Sequence, residues 1–433
     1  MIAQPLATQR FAPAVPSTCG LYIHIPFCAR KCAYCDFNTY AGLDALIPPY
    51  VDALCAELRL RAAQAADRVV TTVFVGGGTP TLLGAAELGA IMDVVRAAFA
   101  LHPAAEITCE ANPGTVDQAR FGVLRQLGVN RLSMGAQSFQ PAELQWLERI
   151  HGADDVERAY GAARDAGFDN INLDFMFGLP GQALATWSAT LEHALAMAPE
   201  HLSLYSLIVE PGTPLFHRVQ SGTQAPPDDD EAAGHWEHAM ARLAGAGYVH
   251  YEVSNWARDD RPAPAAGVDA LDPDSAWDVV PAFAARHNLT YWRNGDWVAA
   301  GAGAHGHLRA RRADAGHYSY VDRRWGNVRS VAAYIASVRR GAGVGPIEAF
   351  DEELTAPTGM GETMMLGLRL VDEGVPHARF ARLHGIDPRA VFGSELRELA
   401  ALGLIEVDAE RTRATRRGLA LLDRVAERFV GVG

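Results

Sequence analysis

Residues 21–40, LYIHIPFCARKCAYCDFNTY, decide the fold. Leu21–Ile25 is a short apolar and β-branched run, which predicts a strand. Pro26 ends that strand, and Cys28, Cys32 and Cys35 follow in a loop as C-x3-C-x2-C. Iron–sulfur clusters are held by cysteine thiolates, ordinarily four for a [4Fe–4S] centre. Three ligands leave one iron open to a substrate or cofactor. Two other readings stand beside this one. Three cysteines plus His24 could hold zinc, and the spacing could place small apolar side chains on a buried helical face. Zinc sites more often pair two two-cysteine knuckles, and Pro26 argues against a helix. Cys19, Cys55 and Cys109 are expected as small buried hydrophobes.

Outward from this stretch, short apolar runs alternate with amphipathic ones. The runs predict strands at 21–25, 70–75, 106–111, 131–135, 170–175 and 201–206. Helices are predicted at 47–65, 85–99, 116–127, 154–166, 184–197 and 228–243. Six such units make an α/β fold, a partial (β/α)6 barrel with extra strands, the next at 248–253. The expected organisation is an extension at 1–19, the barrel at 20–257, an Ala/Pro/Asp-rich loop insertion at 258–285, a barrel extension at 286–345 and a mostly helical domain at 346–433. In the last, helices at 358–370, 376–384, 388–402 and 416–430 flank short strands at 404–407 and 412–414, a winged-helix-like pattern.

A winged helix invites a DNA reading, which the charges oppose. The chain carries 38 Lys and Arg against 51 Asp and Glu, a net charge of −13, and from Asp351 onward it has 11 Arg and no Lys against 14 acids. Such a surface repels phosphate backbones. Six cysteines are too few for a disulfide framework. Residues 1–20 lack the apolar core of a secretory signal, and the uncharged run 69–86 holds Gly76-Gly77-Gly78 and Pro80, which spoil it as a membrane span. A cytoplasmic protein without an integral membrane segment is expected.

With YIHIPFC stand GGGTPT at 76–81, GAQSF at 135–139 and FGLPGQ at 177–182. In these phrases the chain resembles the radical SAM superfamily, and within it the oxygen-independent coproporphyrinogen oxidase-like family, from Gly20 onward. The resemblance implies a [4Fe–4S] cluster on Cys28, Cys32 and Cys35, with S-adenosylmethionine (SAM) on the open iron, where its sulfonium can accept an electron and cleave. It also implies Tyr22 and Tyr34 near the adenosyl group or cluster, Gly78 and Thr79 at the methionyl end, and Glu110 in polar contact with SAM. Gln137, Arg149 and Asp174 match positions that contact a second SAM in the oxidases. The types suit the role, since Arg pairs a carboxylate bidentately and Asp or Glu accepts from ribose hydroxyls. The glycines after the second strand do not form a P-loop, because no Gly-Lys-Ser/Thr follows. GAGAHG at 301–306 matches GxGxxG but opens no apolar helical stripe, so it is expected to serve backbone packing or substrate contact.

The oxidases carry a fourth cysteine two residues beyond the third, where this chain has Phe37. Phe37 and the run His287-Asn288-Leu289-Thr290-Tyr291-Trp292 resemble the heme-chaperone (HemW) branch, with its H-N-x-x-Y-W motif. Imidazole is a common axial ligand of heme iron, and aromatics can edge a porphyrin. The branch therefore makes His287 the expected heme ligand, while residue chemistry alone leaves it a turn-capping histidine among core aromatics. The resemblance further implies heme delivery to a respiratory-type acceptor protein and an electron donor such as flavodoxin or ferredoxin. The rival function is an oxygen-independent coproporphyrinogen III dehydrogenase of porphyrin biosynthesis.

Overall fold

A computed structural model describes residues 17–260, 280–314, 317–341 and 343–430. The insertion expected at 258–285 and the extension at 1–19 therefore lie largely outside the described residues. Six parallel strands, β1 (Ser17–Ile25), β2 (Arg68–Gly77), β3 (Leu101–Ala111), β4 (Arg131–Gln137), β5 (Ile171–Phe177) and β6 (His201–Ser206), lie side by side in chain order. Helices follow the strands: α1 (Ile47–Ala62), α2 (Ala85–Ala98), α3 (Gln118–Gln126), α4 (Ala153–Asp165), α5 (Leu184–Met197) and α6 (Asp229–Gly245). The antiparallel pair β7 (Tyr248–Glu252) and β8 (Asn255–Arg258) extends the sheet beyond β6. After α7 (Arg286–Trp292), β9 (Trp297–Ala300) runs parallel to β1 on its other side. Antiparallel strands β10 (His305–Asp314), β11 (His317–Asn327) and β12 (Glu348–Leu354) complete the twelve.

The alternation in β1 sorts its side chains. Leu21, Ile23 and Ile25 are fully buried and share a core with Leu54 and Leu58 of α1, each burial contributing about 1.5–3 kcal/mol. Tyr22 and His24 take the opposite face, which becomes the barrel lumen. The same parity runs through β2 to β6, so Thr72, Glu106, Thr108, Glu110, Ser133, Asn172, Asp174 and His201 form a polar lining behind an apolar outer layer. Trp187 locks α5 to α6 by donating from Nε1 to the His235 carbonyl at 3.0 Å.

The C-terminal part departs from expectation: the last helix, expected at 416–430, is two short ones, Arg416–Ala420 and Leu422–Ala426. Glu348–Leu354 pairs with β11 as the sheet's edge, so the helical unit begins at Ala356 rather than at 346. The helix expected at 388–402 breaks at Phe392, whose ring is buried in the small domain's core, leaving Pro388–Val391 and Gly393–Ala401. A three-stranded sheet of Val375–Pro376, Arg411–Ala414 and Ile405–Val407 supplies the wing.

This unit is joined to the barrel through the β7–β8 hairpin and the residue just beyond α7. Val253 N–H donates to the Arg369 carbonyl at 3.1 Å and Val371 N–H to that of Tyr251 at 3.0 Å. Glu373 pairs with Arg293 at 2.6 Å and Arg379 at 2.5 Å, all three side chains nearly buried. Burial disfavours the Glu373 carboxylate, but the two guanidiniums outweigh it and hold the carboxyl below its usual range. Its contribution is thus present at neutral pH and is lost as pH falls through the depressed value. Glu373→Gln is expected to cost about 3–5 kcal/mol in denaturant titration at pH 7, and less at low pH. Glu406→Gln, at the exposed Arg413 pair, costs at most about 1 kcal/mol. Equal effects would contradict this assignment.

Candidate metal centre and cofactor site

The carboxyl ends of β1 to β5 converge on one mouth, the usual ligand face of parallel β/α barrels. At β1 the chain leaves through Phe27–Cys28, which pairs with Tyr40–Ala41 and closes the cysteine loop. Two hydrogen bonds clamp it to the end of β2: Gly78 N–H donates to the Ile25 carbonyl at 2.8 Å and Thr79 N–H to that of Phe27 at 2.7 Å. A side chain at Gly78 would drive Cβ to 2.5 Å from the Phe27 oxygen, and Gly77, at φ +113°, lies against the His24 ring. The glycine run is therefore what lets the two strand ends touch.

A second fastening comes from the GAGAHG turn. Asn38 Nδ2 donates to the carbonyls of Ala302 at 2.9 Å and Arg329 at 3.0 Å, and a Cβ on Gly303 would fall 2.5 Å from that same nitrogen. The strand β10, rather than a helix, follows this turn, which agrees with a packing role and leaves no dinucleotide site.

The three cysteines are free thiols, each beside a donor. Thr79 Oγ1 lies 3.8 Å from Cys28 Sγ, Arg149 Nη1 lies 3.5 Å from Cys32 Sγ, and Thr39 Oγ1 lies 4.0 Å from Cys35 Sγ. Burial pushes the Cys28 and Cys35 thiols up, against the pull of these hydroxyls, so ionisation is coupled to binding a metal. Donors aimed at sulfur and a guanidinium beside it suit an anionic thiolate cluster. Zinc with His24 suits the geometry poorly, because His24 Nδ1 meets Tyr22 Oη at 2.9 Å and Nε2 meets the Asn38 carbonyl at 3.0 Å. Among the described residues no group of three or more His, Cys, Asp or Glu surrounds a single ion position. Three thiolates on separate corners of a cubane need no such convergence.

The expected cofactor residues fall around this loop. Tyr34 borders Cys32 and Arg149 and packs near Leu147, Met176 and Leu215. Tyr22 lies below, stacked on Phe74 at 6.2 Å. Glu110 Oε2 accepts from Gly77 N–H at 2.8 Å, and burial with the nearby Asp174 raises its carboxyl to about 7. Asp174 accepts from Asn172 at 2.7 Å and Ser133 at 3.3 Å. Gln137 ends β4 in a left-handed conformation, φ 68°, and Arg149 Nη2 donates to the Gly135 carbonyl at 2.9 Å. Gly78 and Thr79 use their N–H groups in the clamp.

His287 lies elsewhere, 1% exposed at the floor of the lumen. Its Nδ1 meets Thr72 Oγ1 at 2.8 Å and its Nε2 meets Tyr291 Oη at 2.7 Å. Its ring stacks near Tyr22 and Phe74, and burial lowers its pKa to about 3. Glu106 fixes α7 by accepting from the Arg286 and His287 N–H groups at 3.1 Å. Sequence reasoning overlooked Thr72, Glu106 and Asn38. The first two share strand parity with residues already singled out, and that signal was readable; Asn38 carried none.

A radical SAM superfamily profile matches residues 22–194, and a HemN C-terminal domain profile matches 354–421. The heme chaperone HemW of Mycobacterium tuberculosis (strain CDC 1551 / Oshkosh) is 36% identical over 430 residues, 99% of this chain and 98% of that protein. The chain belongs to the HemW family of the radical SAM superfamily. HemW of Bacillus subtilis (strain 168) is 35% identical, covering 95% of this chain and 98% of its own length. The coproporphyrinogen III oxidase HemN of Escherichia coli shares the fold, with a TM-score of 0.77 and 23% identity over 96% of this chain and 91% of that one. Superfamily membership implies a [4Fe–4S] cluster and SAM.

Alanine at Cys28, Cys32 or Cys35 is expected to abolish iron and sulfide uptake on anaerobic reconstitution, whereas His24→Ala retains both. Zinc bound in place of iron and sulfide, and lost in the His24 variant as well as in the cysteine variants, would favour the zinc reading. Because the Glu110 carboxyl is raised, its ionisation opposes folding as pH climbs from the unfolded value through about 7. Glu110→Gln should therefore stabilise the apoprotein more at pH 8 than at pH 5 in thermal unfolding, while weakening SAM binding.

Proposed function

We propose that this chain is a heme chaperone that carries a [4Fe–4S] cluster and SAM at the barrel mouth and passes heme to an acceptor protein. The observation that carries the reading is its full-length likeness to proteins named heme chaperone HemW. Phe37, 59% exposed where the oxidases place a further cysteine, supports it against the dehydrogenase alternative.

In this reading Cys28, Cys32 and Cys35 hold the cluster, which when bound supplies one electron to the SAM sulfonium. Thr79, Thr39 and Arg149 donate toward the three sulfurs and offset thiolate charge. Tyr22, Tyr34, Gly78, Thr79 and Glu110 bound the SAM position. Gln137, Arg149 and Asp174 bound the adjoining mouth, with Asp174 held in place by Asn172 and Ser133. The partners are heme, a respiratory-type acceptor and a one-electron donor such as flavodoxin or ferredoxin, in the cytoplasm. No helix among the described residues is long and apolar enough to cross a membrane.

His287 enters this scheme as a ligand of an opened state alone. Both of its nitrogens are engaged, so ligation there requires α7 to shift and the Tyr291 bond to break. Tyr291→Phe removes one of those bonds and should increase histidine ligation of hemin by a route that His287→Ala abolishes.

Anaerobically purified protein is expected to bind hemin, giving a shifted Soret band, and to leave coproporphyrinogen III unchanged in the presence of SAM and reductant. Robust decarboxylation, or no hemin binding, would overturn the chaperone reading.

A further inference from the structure

A histidine that holds heme in transit has to be reachable by the macrocycle and by the acceptor. In the arrangement described, His287 is neither, being buried with both nitrogens engaged. His305, the histidine of GAGAHG, is exposed at the start of β10. Its carbonyl accepts from Trp297 Nε1 at 2.8 Å, and among the described residues its ring nitrogens make no hydrogen bond.

The sheet register builds a face around it. His305 stands opposite Gly326 on β11, and Gly326 stands opposite Phe350 on β12. The imidazole and phenyl rings thus share one surface across a bare glycine, with centroids 5.3 Å apart at 81°. Phe350 is 40% exposed, an apolar ring left toward solvent. A Cβ at Gly326 would collide with the Phe350 ring and approach His305 Nε2 to 3.0 Å, so glycine leaves that nitrogen open. Exposed Arg329 lies close enough to act on His305, and has no carboxylate within 4 Å among the described residues. Partial burial, then Arg329 and Arg324, lowers the imidazole pKa, favouring the neutral ring that metal ligation needs. The Arg329 carbonyl also accepts from Asn38 at 3.0 Å, which sets this face beside the cysteine loop.

We propose that His305, Gly326, Phe350 and Arg329 form an exposed heme-binding site, in which His305 is the axial ligand, Phe350 lies against the macrocycle and Arg329 pairs a propionate. This site rests on the heme-chaperone reading and names where heme binds while α7 is closed. Its exposure suits a ligand that is handed on, since the acceptor can approach the second face of the iron without opening the barrel.

Hemin titration of the cluster-loaded protein, followed by Soret difference spectra and ferric heme EPR, tests it. His305→Ala should weaken hemin binding by about tenfold or more and remove the histidine-ligated signature, which added imidazole restores, and it should do so in the His287→Ala background as well. Arg329→Gln should erase any preference for hemin over hemin dimethyl ester while keeping the iron signature. If His305→Ala matches the wild type, or if only His287→Ala loses the signature, the proposed site is wrong although the chaperone reading stands. If the wild type itself binds no hemin, both fall.

Discussion

Two backbone hydrogen bonds, from Gly78 and Thr79 to the carbonyls of Ile25 and Phe27, hold the cysteine loop against the end of β2. Each such bond contributes only about 0.5–1.5 kcal/mol net, yet they set the position of everything above them. They can form because residues 76–78 carry no side chains, and because β1 and β2 are in register up to Ile25 and Gly77. Asn38 fastens the other side of the loop to the turns at Ala302 and Arg329. A loop held from both sides presents its sulfurs without needing a metal to shape the chain first. That is the kind of preorganisation on which a partly open metal centre depends.

Beneath the mouth, strand parity gathers polar side chains into a lumen with little water access, where burial costs are met by pairing. His201 is satisfied by Asn172 at 2.6 Å and Tyr251 at 2.7 Å, and His287 by Thr72 and Tyr291. Helix α7 closes this lumen with His287 and Tyr291. The residues just beyond it grip the small domain, Arg293 through Glu373 and Asn294 through Thr363 at 2.9 Å. The H-N-x-x-Y-W motif is therefore an architectural joint in the closed arrangement. Any movement that frees His287 must also loosen the attachment of the small domain.

Much of this was legible from sequence because the responsible signals are local. The helix at 184–197 and the strand at 201–206 emerged with their boundaries intact, since apolar periodicity and flanking breakers are written residue by residue. The cysteine spacing and the glycines at 76–78 likewise announce their roles nearby. What escaped depends on contacts between distant segments. Glu348–Leu354 has a charged, exposed pattern that reads as no strand, and only pairing with β11 makes it one. Phe392 breaks a helix because a buried slot awaits its ring. The burial of His287 required knowing that Gly20 leaves room for its imidazole, with a Cβ there only 3.1 Å from Cε1. No periodicity reports such a fit.

The account stands or falls on three protein thiolates leaving one iron for SAM. ENDOR spectroscopy of the anaerobically reduced protein with SAM labelled in its amino nitrogen and carboxylate oxygen addresses this most directly. Hyperfine coupling of both labels to the cluster is the predicted result. A cluster that shows neither coupling while SAM is demonstrably bound, or a fourth protein ligand on the remaining iron, would contradict it.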